Sequence, residues 1–285
     1  MNNNVDLIKD LRNKTGAGFL DCKNALFENN NNLVKSIEFL RKKGLAKASK
    51  KSSREAIEGA VGIYSNNKVI VLIKVNSETD FAAKSDIFLN FLDELGDFAI
   101  KNCDTNHSKE DFLGLKYNDT LISEFFDSMI AKIGENLILN DLTILENKNY
   151  HHSFYIHNSY KKNIGKIISI IKYETNEDNE VIKKFSKNLC MHIAAMKPES
   201  LDINDLEKNF VEKEKNIQKE LILNSGKPEN IVEKILEGKM KKFYSEVTLL
   251  NQNYILDQDK TVKMVIQELP ENLNFKINSF NIISL

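Results

Sequence analysis

A chain of 285 residues with 41% hydrophobic and 28% charged side chains can bury a sizeable core in two or three modest domains. Its formal net charge of −1 gives no overall pull toward nucleic acid or anionic membrane. No apolar run approaches the roughly 18–20 residues of a membrane span, and Met1-Asn2-Asn3-Asn4 lacks the basic-then-apolar pattern of a secretory signal.

Cys22, Cys103 and Cys190 are widely separated, with no CxxC. This argues against a disulfide framework or a zinc knuckle and fits a reducing, cytoplasmic setting.

Residues 4–54 read as a small helical module. Val5, Leu7, Ile8 and Leu11 share one helical face, Thr15-Gly16-Ala17-Gly18 breaks it, and Phe19, Cys22, Ala25 and Leu26 resume the period. Asn29 to Asn32 make a second break, and a third helix with Leu33, Val34, Ile37 and Leu40 is expected to end near Gly44. From Arg41 to Arg54 the chain is basic, with Lys42, Lys43, Lys47, Lys50 and Lys51 between. This stretch reads as a solvated tether, with contact to RNA or ribosome as the alternative.

Residues 59–76 have the pattern of a hairpin turning at Asn66-Asn67. Val69 to Ile73 is apolar at every position, as suits a strand covered on both sides. A helix with Phe88, Phe91, Leu92, Leu95 and Phe98 follows, and an aromatic stripe at that spacing is core. Leu121 to Ile133 reads as another amphipathic helix, stopped by Gly134-Glu135-Asn136, and Leu137 to Leu145 as a strand.

The order then repeats. Phe154 to His157 and Ile164 to Ile171 read as a second strand pair, and Val181 to Ala195 as a helix closed by Lys197-Pro198. Residues 205–244 carry two charged helical runs separated by Ser225-Gly226-Lys227-Pro228, the pattern of an antiparallel helical hairpin. Glu246 to Ile255 and Phe275 to Ile283 complete the reading as strands. The fold class is α+β.

Between strand and helix lies Lys74 to Asp86, where Asp80 and Phe81 stand side by side in a polar turn. A Phe ring is more often core than exposed, but strand-to-helix turns also hold out binding groups. No catalytic set competes for attention. There is no phosphate-cradling glycine loop and no GxSxG elbow, and Asp80 and Asp86 have no companion base or nucleophile. A metal-dependent hydrolase at His151, His152 and His157 has neither helical spacing nor a nearby Cys, so these read as strand-end histidines. Cys190-Met191-His192 reads as a buried helix face. The chain is therefore expected not to be an enzyme and to need no cofactor.

Several segments together resemble the bacterial elongation factor Ts family. They are Leu11 to Gly18 with Asp21 to Leu26, Asn76 to Lys84, Lys132 to Asn136, Met191 to Pro198, and Ser225 to Pro228 with Glu237 to Phe243. The resemblance covers nearly the whole chain and implies a guanine-nucleotide exchange factor that binds elongation factor Tu and promotes GDP release. It implies a ubiquitin-associated-like helical domain with basic linker at 1–54 and core subdomains at 55–145 and at 146–204 with 246–285. A protruding coiled-coil hairpin at 205–245 completes the fold. It also implies partner contact at Thr79, Asp80, Phe81, Ala82, Ala83, Lys23, Gly134 and His157, with Asp80 and Phe81 as the intruding pair, and leaves open a dimer through the hairpin. This chain departs from the family pattern in a longer 158–163 loop, in Asn140-Asp141 where basic residues are common, and in Ala82 where Val is frequent. It also reads as lacking the C-terminal helical module of some members.

Overall fold

The computed structural model describes residues 2–225 and 228–285, a mixed helix-and-sheet α+β protein. Two compact units divide it: Met1–Lys148 with Asn158–Lys166 and Ile283–Leu285, and Asn149–His157 with Ile167–Ile282.

The first unit opens with helices α1 (Asn2–Thr15), α2 (Phe19–Glu28) and α3 (Leu33–Lys51). Ile8, Leu11, Cys22, Ala25, Leu26 and Leu40 are buried together between them, as the helical spacing requires. Strands β1 (Glu58–Ser65) and β2 (Val69–Ser77), the one-turn helix α4 (Asp80–Ala83) and helix α5 (Asp86–Asn102) follow. Next come α6 (Lys109–Leu113), the short strands β3 (Lys116–Tyr117) and β4 (Thr120–Leu121), helix α7 (Ile122–Ile133) and strand β5 (Leu137–Glu146). The hairpin runs in register from Glu58↔Ser77 to Ser65↔Ile70, and β2 pairs on its other edge with β5. The unbroken apolar run of β2 is buried throughout. The α5 stripe is core, with Phe91 meeting Phe125 and Phe126 edge-on at 4.9 Å each.

Helix α3 does not end near Gly44 but continues to Lys51. A Cβ at Gly44 would lie 3.2 Å from the Ala131 Cβ, so this glycine lets α3 approach α7 closely rather than stopping the helix. The basic stretch is consequently a docked helix face and a short exit, not a tether. Arg41 pairs with Glu124 at 2.6 Å, Lys43 with Asp21 at 2.9 Å and Arg54 with Glu78 at 3.4 Å, while Lys51 donates to the Gly134 carbonyl. Four of the cations that RNA phosphates would need are thus engaged within the protein. The side chain of Lys47 lies outside the described residues.

The chain passes to the second unit in strand β6 (His151–His157) and returns over 158–166. There β7 (Ile164–Gly165) adds to the free edge of β1 through Val61↔Gly165 and Gly62↔Ile164, giving the order β5-β2-β1-β7. Ile164 was expected to pair with the 154–157 strand. It is instead buried in the first unit's core, because Asn158 at φ 49° and a turn closed by Tyr160 N–H to the Ile164 carbonyl bring the chain back there.

In the second unit β6 pairs with β8 (Ile167–Glu174) from His151↔Tyr173 to His157↔Ile167. Helix α8 (Glu180–Met196) packs on both, burying Ile182, Leu189, Cys190 and Ile193. Helices α9 (Lys208–Asn224) and α10 (Glu229–Val247) run in opposite directions, sharing buried Ile222, Val232, Leu236 and Met240, with Phe210 5.5 Å from Phe243. Gly226 and Lys227, the centre of the expected turn, lie outside the described residues. Short strands β9 (Asn253–Tyr254) and β10 (Asp257–Thr261), helix α11 (Val262–Gln267) and strand β11 (Lys276–Ser284) as far as Ile282 complete the unit, and the sheet order is β11-β8-β6.

The expected strand over 246–255 is mostly the end of α10 and a 3₁₀ turn at Leu249–Asn251. Thr248 Oγ1 donates back to the Tyr244 carbonyl at 2.8 Å, and Gln252 Nε2 donates to the Glu246 carbonyl at 2.7 Å. These side chains satisfy the helix end and leave no ladder to extend.

His192 is buried on α8. Its Nδ1 accepts from the Ile255 N–H at 3.2 Å, so the neutral ring donates from Nε2 to Gln252 Oε1 at 2.9 Å. A second proton would face the Ile255 N–H, and burial holds the imidazole below its ordinary 6.5. The unfolded chain therefore takes up this proton before the folded one, so stability is full above about pH 6.5 and declines as the pH falls below it. Denaturant midpoints are expected to drop between about pH 7 and pH 5, with a flatter slope in His192→Gln. His152, also pushed down by burial, keeps part of the slope in that variant.

No helix among the described residues is long and apolar enough to cross a membrane.

Candidate functional site

The end of β2 hands the chain to α4 through Glu78 and Thr79. Thr79 is extended, and its Oγ1 accepts the Ala82 N–H at 3.2 Å, capping the one-turn helix. Ser85 closes the other end: its Oγ donates to the Ala82 carbonyl at 2.7 Å and accepts the Phe88 N–H at 3.3 Å, opening α5. Ala82 and Ala83 are buried, and α4 lies against β1 and β2. The opposite side of the turn carries Phe81, whose ring is 83% exposed. A phenyl ring held in water by a capped and anchored helix gains nothing for the fold.

Beside it, Asp80 pairs with Lys84 at 2.7 Å. The hydrogen bond from Lys84 holds the carboxyl below its ordinary range, so Asp80 is anionic at neutral pH.

A second turn braces the first. Helix α7 ends at Gly134 with φ 91°, a left-handed position that favours glycine. Glu135 follows, its Oε2 accepting the Thr79 N–H at 2.9 Å and its Oε1 the Thr79 hydroxyl at 2.7 Å. The Asn136 N–H donates to Glu78 Oε1 at 2.7 Å, and Asn136 Nδ2 donates to the Arg54 carbonyl at 2.8 Å. Ser77 Oγ donates to the Thr79 carbonyl at 3.0 Å.

Comparison with known proteins bears directly on this site. The family model described as Elongation factor TS matches residues 78–285, starting at this turn. Elongation factor Ts of Ehrlichia ruminantium (strain Welgevonden) is 39% identical over 279 residues, covering 96% of this chain and 95% of that protein. Elongation factor Ts of Halothermothrix orenii is 40% identical over 277 residues, covering 96% of this chain and 89% of that protein. The protein of that name from Bartonella bacilliformis is 39% identical over 263 residues, covering 92% and 85% respectively. The chain belongs to the elongation factor Ts family. It is a translation elongation factor.

Of the residues that the elongation factor Ts resemblance singles out, the structure brings Thr79, Asp80, Phe81, Ala82, Ala83 and Gly134 to one pair of turns. Gly134 provides the left-handed corner that sends Glu135 and Asn136 toward Thr79 and Glu78. Lys23 stands elsewhere in the first unit, exposed on α2. His157 lies at the end of β6 in the second unit, exposed, with Nδ1 3.3 Å from the Tyr155 hydroxyl.

His151 and His157 are six residues apart on one strand, roughly 20 Å at the usual rise, too far for one metal ion. Among the described residues no group of three or more His, Cys, Asp or Glu side chains is placed to hold one.

Glu135 and Arg54 were missed as participants. The signal for Glu135 is its place directly after a helix-ending glycine, in a segment that reads as a stop and carries part of the family resemblance.

Proposed function

We propose that this chain is a guanine-nucleotide exchange factor for elongation factor Tu, acting in the cytoplasm, making and breaking no covalent bond and using no cofactor of its own. The observation that carries the reading is the exposed phenyl ring of Phe81 on a turn held by the Thr79 cap and the Glu135 carboxylate. Family membership supplies the partner.

Linkage fixes what the mechanism must do. A factor that binds the nucleotide-free partner more tightly than the nucleotide-bound one weakens nucleotide binding by the same ratio. Accelerating release by ~10⁴ requires lowering its barrier by about 5.5 kcal/mol. Burying one Phe supplies roughly 1.5–3 kcal/mol. Docking over an interface of about 1,600 Å² or more must therefore contribute the remainder.

The parts available for docking are the α1–α3 module, read as ubiquitin-associated-like, two related α+β subdomains, and α9–α10 as a coiled-coil hairpin. Lys23 and His157 are assigned to docking, Asp80 and Phe81 to the intrusion near the bound nucleotide. Support for this division comes from the separate apolar cluster of α1–α3 and the separate seam between α9 and α10.

The test is release of fluorescent GDP from elongation factor Tu, followed by stopped flow with and without the chain. Strong acceleration is expected, and release at the unassisted rate would overturn the proposal. In the same assay Asp80→Ala is expected to lose about threefold, less than loss of the ring, since a solvent-exposed carboxylate contributes less than a buried phenyl.

A further inference from the structure

Resting on the exchange reading, we infer that Glu135 is a positioning residue for the intruding pair, acting on Phe81 through Thr79. A helix of one turn cannot hold itself in water, because the cost of fixing its dihedral angles exceeds the gain from its few hydrogen bonds. Its ring adds no packing against the protein, since Phe81 is 83% exposed. The direction of the ring therefore depends on what fixes the ends of α4.

At the N-terminal end that task falls to Thr79, and both oxygens of Glu135 are committed to it, one to the backbone N–H and one to the hydroxyl. Donating its proton to the carboxylate leaves the Thr79 oxygen lone pairs free to face the Ala82 N–H, which it caps at 3.2 Å. Each bond polarises the next, and the first two are charge-assisted.

The arrangement is reciprocal. Glu135 accepts from Thr79, while Glu78 accepts from the N–H of Asn136 at 2.7 Å. The β2–β5 ladder ends at Ser77↔Leu137, and side-chain bonds clasp the two segments beyond it. Gly134, at φ 91°, is the corner that allows Glu135 to turn this way. A shift of about 1 Å in the ring would matter as much as a missing contact, since rate depends on placement.

Glu135→Ala is expected to slow GDP release from saturated elongation factor Tu about tenfold, while the half-saturating concentration changes less than about twofold. Glu135→Gln, which retains one acceptor, should fall between. In a Phe81→Ala background the same change should cost less than about twofold, because its effect passes through the missing ring. Equal losses in both backgrounds, or wild-type release by Glu135→Ala, would overturn the assignment. Thr79→Val, which removes the hydroxyl but keeps the N–H, provides the same comparison should Glu135→Ala fold poorly.

A fluorine-labelled phenylalanine at position 81 separates this inference from the exchange reading. Its resonance should shift or broaden in Glu135→Ala without any partner present, and an unchanged resonance overturns the positioning role. Failure of the wild-type chain to accelerate release would instead overturn the exchange reading alone.

Discussion

Phe81→Ala is expected to slow GDP release from elongation factor Tu at least about tenfold while the chain stays folded. The kinetic part follows from area: burying a phenyl ring in a partner yields roughly 1.5–3 kcal/mol, and each 1.36 kcal/mol is a factor of ten in rate. The folding part follows from where the ring is. At 83% exposure it belongs to none of the buried clusters, and α4 is anchored by Ala82, Ala83 and the Thr79 and Ser85 caps instead. Removing an exposed ring should leave the thermal midpoint where it is or raise it slightly. Stopped-flow release with matched circular dichroism checks both. Wild-type release would remove Phe81 from the mechanism, and loss of native structure would show that the ring stabilises the fold in a way its exposure denies.

The elements with strong internal periodicity are legible in the sequence. The three N-terminal helices, the hairpin, the α5 stripe and the two helices after Asp205 all follow from apolar spacing and turn chemistry. The readings failed where the decisive contact lies far along the chain. Gly44 reads locally as a helix stop, and only Ala131 on a distant helix explains why it sits inside α3. Ile164 carries a strand signal that does not name its partner, which is β1, a hundred residues earlier. Thr248 and Val247 have β-branched side chains, and the hydrogen bond from Thr248 to Tyr244 determines that they end a helix. At the site, the order of residues places the Asp80–Phe81 turn between strand and helix, and the family resemblance singles out the pair. Glu135 was not legible as its brace, since nothing in the order of residues says that two turns 56 positions apart share a carboxylate.

Gly96→Ala should destabilise the first unit by about 1–3 kcal/mol, although by local preference it ought to stabilise it. Within a helix, alanine is favoured over glycine by about 1 kcal/mol. Against that stands the ring of Tyr64. A Cβ on Gly96 would lie 2.1 Å from Tyr64 Cδ2 and 2.4 Å from its Cγ, well inside any real contact. The ring has nowhere to retreat: a Cβ at Gly62 would lie 2.7 Å from its Cε2, its hydroxyl bonds Asp93 at 3.0 Å, and it is buried. Two glycines thus form a slot for one aromatic ring, joining α5 to β1 in the frame that carries α4. The clash exceeds the propensity gain, so the denaturant midpoint should fall. The decisive control is Tyr64→Ala, which alone costs about 3–5 kcal/mol by leaving a cavity. In that background Gly96→Ala should become neutral or stabilising, because the added methyl enters vacated space and the helix preference reasserts itself. Equal destabilisation with and without the ring would mean that Gly96 is required for its backbone and not for the slot.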